Sequence, residues 1–197
     1  RRDSPMNIQG SGLQDKDWLR KQCDALGLRH VGGEPSHLVT HLVVTRPVRR
    51  TLKLLYALAN GAWVVSEQWL VDSVVAGKPL PPNAFEQPVG QPARQRNEAG
   101  EPGVLAGLDV TLAGETSVPR EELARLLGAA GARCTIRAGG ATAPPLEVRA
   151  AGGGGGGGGV GGRRRRLQST LQVSENDLLD AITAARPLQS HLQPTAA

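Results

Sequence analysis

No run of about 18 apolar residues, the length that spans a bilayer, occurs anywhere in the 197 residues, and the basic opening RRDSPMNI lacks the apolar stretch of a secretory signal. Neither a membrane span nor secretion is therefore expected. An initiator methionine is also missing from the first position, which predicts a piece of a longer protein. Cysteine is scarce: Cys23 and Cys134 stand far apart with no CxxC or Cys/His cluster around them, so a disulfide scaffold or a zinc site has no basis. Buried, reduced thiols in a cytosolic or nuclear protein are the expectation. Aromatic residues make up only 3% of the chain, so aliphatic side chains must build most of the core, and any missing volume there is felt. No catalytic constellation stands out either. His30, His37, His41 and His191 have no acidic or thiol partners at metal-ligand spacing, and nothing resembles a nucleophile elbow. Enzyme activity, a metal and a cofactor are thus not expected, and His41, inside an apolar strand, reads as a structural histidine.

What is present begins with charge. A net charge of +5 and a pI near 9.9 attract polyanions, but Arg163, Arg164, Arg165 and Arg166 supply nearly all of that excess. Such a run is a solvated patch, a nuclear-import signal or a nucleic-acid contact, and its composition does not choose among them. The eight glycines Gly152–Gly159 before it have the largest backbone entropy to lose on folding and read as a flexible insert.

Residues 4–86 read as one compact α/β unit. MNIQGSGL is a short strand ending in a Ser-Gly turn. DKDWLRKQCDALG then places Trp18, Leu19, Cys23 and Leu26 on one helical face, with Asp15 as N-cap and Gly27 as the stop. HLVTHLVVT is a strand covered on both faces. RTLKLLYALANG puts Leu52, Leu55, Leu58 and Ala59 on one stripe before Asn60-Gly61. WVVS is another buried strand, and Ser66 caps SEQWLVDSVVAG, whose Trp69 faces inward. Strands alternating with helices predict a parallel sheet with helices on its faces.

The segment 87–103, QPVGQPARQRNEAGEPG, has almost nothing to bury and reads as a linker. A second unit, 104–192, repeats the order: LAGLDVTLAG as strand, VPREELARLLGAAG as helix with Leu123, Leu126 and Leu127 inward and Pro119 in its first turn, and CTIRA as strand. A low-complexity insert at 150–166 then interrupts it. The last helix is recognisable because VSENDLLDAI, 173–182, matches VSEQWLVDSV, 65–74, at Val, Ser, Glu, Leu and Asp. Asp177 stands where the first copy has Trp69. With Ser174 as N-cap, the second copy is expected to be degenerate and less stable, since a missing indole costs about 3–5 kcal/mol.

SGL after the first strand, THLVV, RTLKLLYALANGAWVVSEQWLVDSV and the following FE resemble the BRCT family, and the two units resemble its tandem pair. The resemblance implies two repeats, each a small parallel four-stranded sheet flanked by helices. It implies a nuclear scaffold module of DNA-damage response and repair that binds phosphoserine segments of other proteins. In the family's phosphopeptide-binding class the phosphate is held at the positions of Ser11, Gly12, Thr51 and Lys53. A second pocket at the seam of the repeats reads the side chain three residues on, a hydrophobic or aromatic one, at the positions of Arg50, Leu55, Leu126 and Leu179. Leu55 departs from the aromatic often found there, which leaves the preferred side chain open. The alternative is a BRCT unit that binds DNA, a nucleosome or an unmodified protein, with Arg163–Arg166 as the contact.

The chemistry of a phosphate pocket agrees with those residue types. Phosphoserine carries close to two negative charges and three acceptor oxygens, so it needs a cation, a hydroxyl and free backbone N–H groups aimed at one spot. Ser11 offers a hydroxyl and Gly12 an unhindered N–H, while Thr51 and Lys53 stand near the positive end of a helix.

Overall fold

The computed structural model describes residues 5–138, 146–150, 170–171 and 173–188. The chain divides into two compact units, residues 1–102 and 103–197, with Ile182–Arg186 assigned to the first.

The first unit carries β1 (Asn7–Ser11), α1 (Lys16–Ala25), β2 (Arg29–His30), β3 (His41–Val44), α2 (Leu52–Ala59), β4 (Trp63–Ser66) and α3 (Gln68–Val75). Its sheet has the order β2-β1-β3-β4 with every pairing parallel, because α1 and α2 return the chain to the same edge before each new strand. The two-residue β2 is too short to carry a period that sequence reading detects. Ile8, Cys23, Val43, Val65, Trp69 and Leu70 form the core with Leu19. Trp69 is fully buried, and its indole N–H donates to the Leu80 carbonyl at 2.8 Å, so the ring fills volume without stranding a donor.

Several local details differ from the sequence expectation. The strand expected over 37–45 shortens to His41–Val44, because Leu38 is exposed and the Val39 N–H closes a turn on Ser36. Ser66 ends β4 instead of capping a helix; Glu67 holds the N-cap position of α3 without a side-chain bond. Helix α2 is buried at every position from Leu54 to Leu58 rather than along one stripe. The segment expected as linker explains that. Gln91–Glu98 form a helix, α4, which packs on α2 and β4.

Helix α4 has few apolar side chains, so sequence hydrophobicity hides it, and polar groups dock it. Arg94 places its guanidinium 4.1 Å from the Trp63 ring centroid and pairs with Glu86 at 2.7 Å and Glu98 at 2.6 Å. Gly61, at φ +62°, lets the helix approach, since a Cβ there would run into Asn97.

The second unit carries β5 (Leu108–Leu112), α5 (Arg120–Ala129), β6 (Arg133–Ile136), β7 (Leu146–Ala150), β8 (Thr170–Leu171) and most of α6 (Glu175–Ala184). Leu123, Leu126 and Leu127 are fully buried on α5, as their spacing predicts, while Pro119 sits at the N-cap just before its first turn. The sheet order β6-β5-β7-β8 corrects the expectation of a second parallel sheet. Only β5 and β6, joined through α5, are parallel; β7 runs antiparallel to β5, and β8 antiparallel to β7. Strand β7 has a two-residue signal, with Leu146 and Val148 buried and Arg149 exposed, that the neighbouring glycines obscured. Ala150, expected as the first residue of the insert, is its last residue; 151–166, with Arg163–Arg166, and His191 lie outside the described residues. Cys23 and Cys134 are free thiols, each raised by burial to about 11 and therefore protonated at neutral pH.

Candidate functional site

Parallel strands leave their carboxyl ends at one edge of the sheet, and the loops that follow them build sites there. Ser11 is the last residue of β1, paired in register with Val44, the last residue of β3. Gly12 follows at φ +79°, a left-handed backbone where a Cβ would lie 2.8 Å from the Thr45 hydroxyl. Only glycine turns the chain there without strain. After β3 the chain crosses to Thr51, the N-cap of α2, whose hydroxyl accepts the Leu54 N–H at 3.2 Å. Lys53 falls in the first turn.

These four residues come together. The Ser11 and Thr51 hydroxyl oxygens are 2.7 Å apart, and the Lys53 ammonium donates to the Gly10 carbonyl at 3.4 Å. They line one cleft of about 400 Å³ together with Leu13, Leu19, Leu52 and residues of the His30–Pro35 loop. Two hydroxyls and an ammonium beside the start of α2 give an anion charge, donors and dipole in one place. The buried position of Ser11 and its bond to Thr51 fix both rotors, so little order remains to be imposed by a ligand.

The other residues singled out from the sequence are placed as follows. Arg50 is exposed immediately before Thr51, and Leu55 is buried on α2, both in the first unit; Leu126 on α5 and Leu179 on α6 are buried residues of the second. His41 is buried and stacks on Trp69 with ring centroids 4.9 Å apart and on Trp63 at 6.5 Å. Burial lowers its pKa to about 4, so it is a neutral packing group. Among the described residues no group of three or more His, Cys, Asp or Glu is placed to hold a metal, and no helix is long and apolar enough to cross a membrane.

Sequence reasoning missed a second cleft, of about 720 Å³, on the other side of Gly12. Trp18, Thr45, Arg46, Arg49 and Glu67 line it. The signal was present in TRPVRRTLK, four cations between positions 46 and 53 with no acid among them.

Comparison with known proteins places these elements. Residues 28–74 match the family model of the BRCA1 C Terminus (BRCT) domain. BRCA1-associated RING domain protein 1 of Arabidopsis thaliana is 29% identical over 138 residues, covering 62% of this chain and 19% of its own. The chain thus spans about a fifth of that relative's length. Among solved structures, the BRCT5-BRCT6 domains of S. pombe Brc1 superpose with a TM-score of 0.55 at 18% identity, over 68% of this chain and 67% of that one. Rad4 BRCT1,2 in complex with a Crb2 phosphopeptide matches with a TM-score of 0.36 at 23% identity, over 42% and 44% of the two chains.

Proposed function

From a chain with the fold of a BRCT pair, we propose a phosphoserine-reading module: the first unit binds a phosphorylated segment of another protein at Ser11, Gly12, Thr51 and Lys53. The observation that carries this reading is the 2.7 Å approach of the Ser11 and Thr51 hydroxyls in the cleft that Lys53 also lines. Two hydroxyls, the turn at Gly12 and one ammonium match the acceptors and charge of a phosphate monoester. Binding an anion is the work this reading gives the cleft, whose hydroxyls and ammonium are donors for a phosphate. The same reading assigns Arg50, Leu55, Leu126 and Leu179 to choosing the side chain three residues after the phosphoserine. It places the protein in nuclear DNA-damage response and repair, by the family it resembles.

A fluorescence titration with a phosphoserine peptide and its unphosphorylated twin tests the reading. Lys53→Met removes a charge-assisted bond worth about 1.5–3 kcal/mol, so affinity is expected to fall about ten- to a hundredfold. Binding that survives phosphatase treatment, or is unchanged in Lys53→Met, refutes it. Peptides varied at the third following position test the four selectivity residues, and equal affinity for all side chains there removes that assignment.

A further inference from the structure

Gly12 belongs to two clefts. One side holds Ser11, Thr51 and Lys53; the other is the larger cleft that carries Arg46 and Arg49 and is walled by Trp18. A ligand whose phosphate sits in the first cleft can reach the second past a residue with no side chain, since Gly12 lines both. The turn at φ +79°, with the Thr45 hydroxyl 2.8 Å from where a Cβ would stand, holds position 12 to glycine.

We propose that the segment flanking the phosphoserine crosses Gly12 into this second cleft, and that Arg49, with Arg46, selects an acidic residue there. The inference rests on the phosphoserine reading and deepens it by naming what accompanies the phosphate. Charge complementarity carries it. Arg46 and Arg49 are exposed on the loop between β3 and α2, and with Arg50 and Lys53 they form a stretch of one sign. Arg46 is held in place by a 3.1 Å bond from its Nε to the Gln87 side-chain oxygen, which leaves its two terminal nitrogens as donors. Opposite charge also lines this cleft. Asp15 is committed to capping α1 through the Trp18 N–H at 2.9 Å, and Glu67 stands at the start of α3. Two carboxylates in the cleft disfavour the continuous phosphate backbone of a nucleic acid, which presents charge along its whole length. A peptide carries its acid at one position and lays neutral groups beside Asp15 and Glu67. The flat, half-buried face of Trp18 offers those neutral groups an apolar wall.

The test uses the full chain and fluorescein-labelled peptides with a central phosphoserine in a glycine-alanine background, carrying Glu, Ala or Lys at each flanking position in turn. At one or more flanking positions Glu is expected to bind about three- to fivefold tighter than Ala and Lys weaker, the worth of an exposed ion pair, with the difference shrinking as salt rises. Arg49→Glu is expected to reverse the order, so that the Lys peptide binds best, while its affinity for the alanine-flanked phosphopeptide stays within about twofold of its value for a charge-neutral Arg49→Gln control. Circular dichroism confirms that both variants fold. If phosphopeptides bind but their flanking charge has no effect, or Arg49→Glu does not reverse the order, the inference is overturned and the phosphoserine reading stands. If no phosphopeptide binds, both fall. Arg49-dependent binding of a DNA duplex that displaces the peptide without any preference for flanking acid also overturns it.

Discussion

Ser174 and Asp177 hydrogen-bond each other reciprocally at the start of α6. One carboxylate oxygen of Asp177 accepts the Ser174 hydroxyl and the Ser174 N–H, both at 2.7 Å, while the Asp177 N–H donates to the Ser174 oxygen at 3.2 Å. This is a capping box, which satisfies donors that the first turn of a helix leaves unpaired. The aspartate that replaces the tryptophan of the first repeat therefore lies exposed at a helix end, not in a core cavity, and the expected loss of an indole's packing does not apply to that side chain. Asp177→Ala is expected to destabilise the protein by about 1 kcal/mol. The Ser174 hydroxyl, and then its N–H, hold the Asp177 carboxyl below its usual pKa. A carboxyl depressed on folding adds stability that is present above the unfolded value, near ~3.9, and is lost as pH falls through the folded one. Urea titrations at neutral pH and at about pH 3 check this, since the Asp177→Ala difference should shrink in acid.

Arg94 is the main polar fastening of α4. The Glu86 side chain that pairs with it is only 3% exposed. Removing the cation leaves a buried carboxylate unpaired and uncovers one face of Trp63. Arg94→Met is expected to cost about 3–5 kcal/mol and to shift tryptophan emission to longer wavelength. Arg94→Lys keeps the charge but not the paired, planar contact and should fall between. Unfolding followed by fluorescence, with Trp63→Phe to identify the reporting ring, measures both.

How much of this was legible in the sequence depended on the kind of signal. Trp69, Leu123 and Leu126 were readable because apolar side chains at helical spacing have few other places to go. The cleft of Ser11, Gly12, Thr51 and Lys53 was readable as residues but not as geometry: Ser11 and Thr51 are forty positions apart, and only the parallel pairing of β1 with β3 brings them within a hydrogen bond. Helix α4 was invisible for the opposite reason. Its docking rests on one arginine over one indole and on the missing side chain of Gly61, none of which leaves a hydrophobic period. Asp177 misled because matching decamers suggest matching burial, whereas α6 begins at the residue after its serine and α3 begins two after. That shift of one position carries the aspartate onto the capping site.

His41 makes stability depend on pH. Its pKa falls to about 4 through burial, against about 6.5 in an unfolded chain. Between those values the unfolded chain binds more protons than the folded one, so stability declines as pH drops through this window and the decline is complete below about pH 4. The full effect is on the order of 3 kcal/mol. His41→Phe, which keeps a flat ring between Trp63 and Trp69, should flatten the profile between pH 4 and about 6.5. An unchanged slope in that variant, measured by thermal melts across the range, assigns the dependence to other groups.

Thr51 does two things at once, and substitution separates them. Its hydroxyl caps α2 by accepting the Leu54 N–H and meets the Ser11 hydroxyl at 2.7 Å. Thr51→Val keeps the shape and removes both interactions, so it should lower stability by about 1 kcal/mol and also weaken phosphopeptide binding. Thr51→Ser restores the oxygen and should recover both within a few tenths of a kcal/mol. Ser11→Ala removes the second hydroxyl but leaves the cap intact, so its effect should fall on binding. If Ser11→Ala and Thr51→Val lose stability equally while peptide affinity stays at the wild-type value, the two hydroxyls serve only to join β1 to α2. Loss of affinity in Ser11→Ala at nearly unchanged stability instead marks their approach as part of the binding surface, since a cap alone cannot produce that separation.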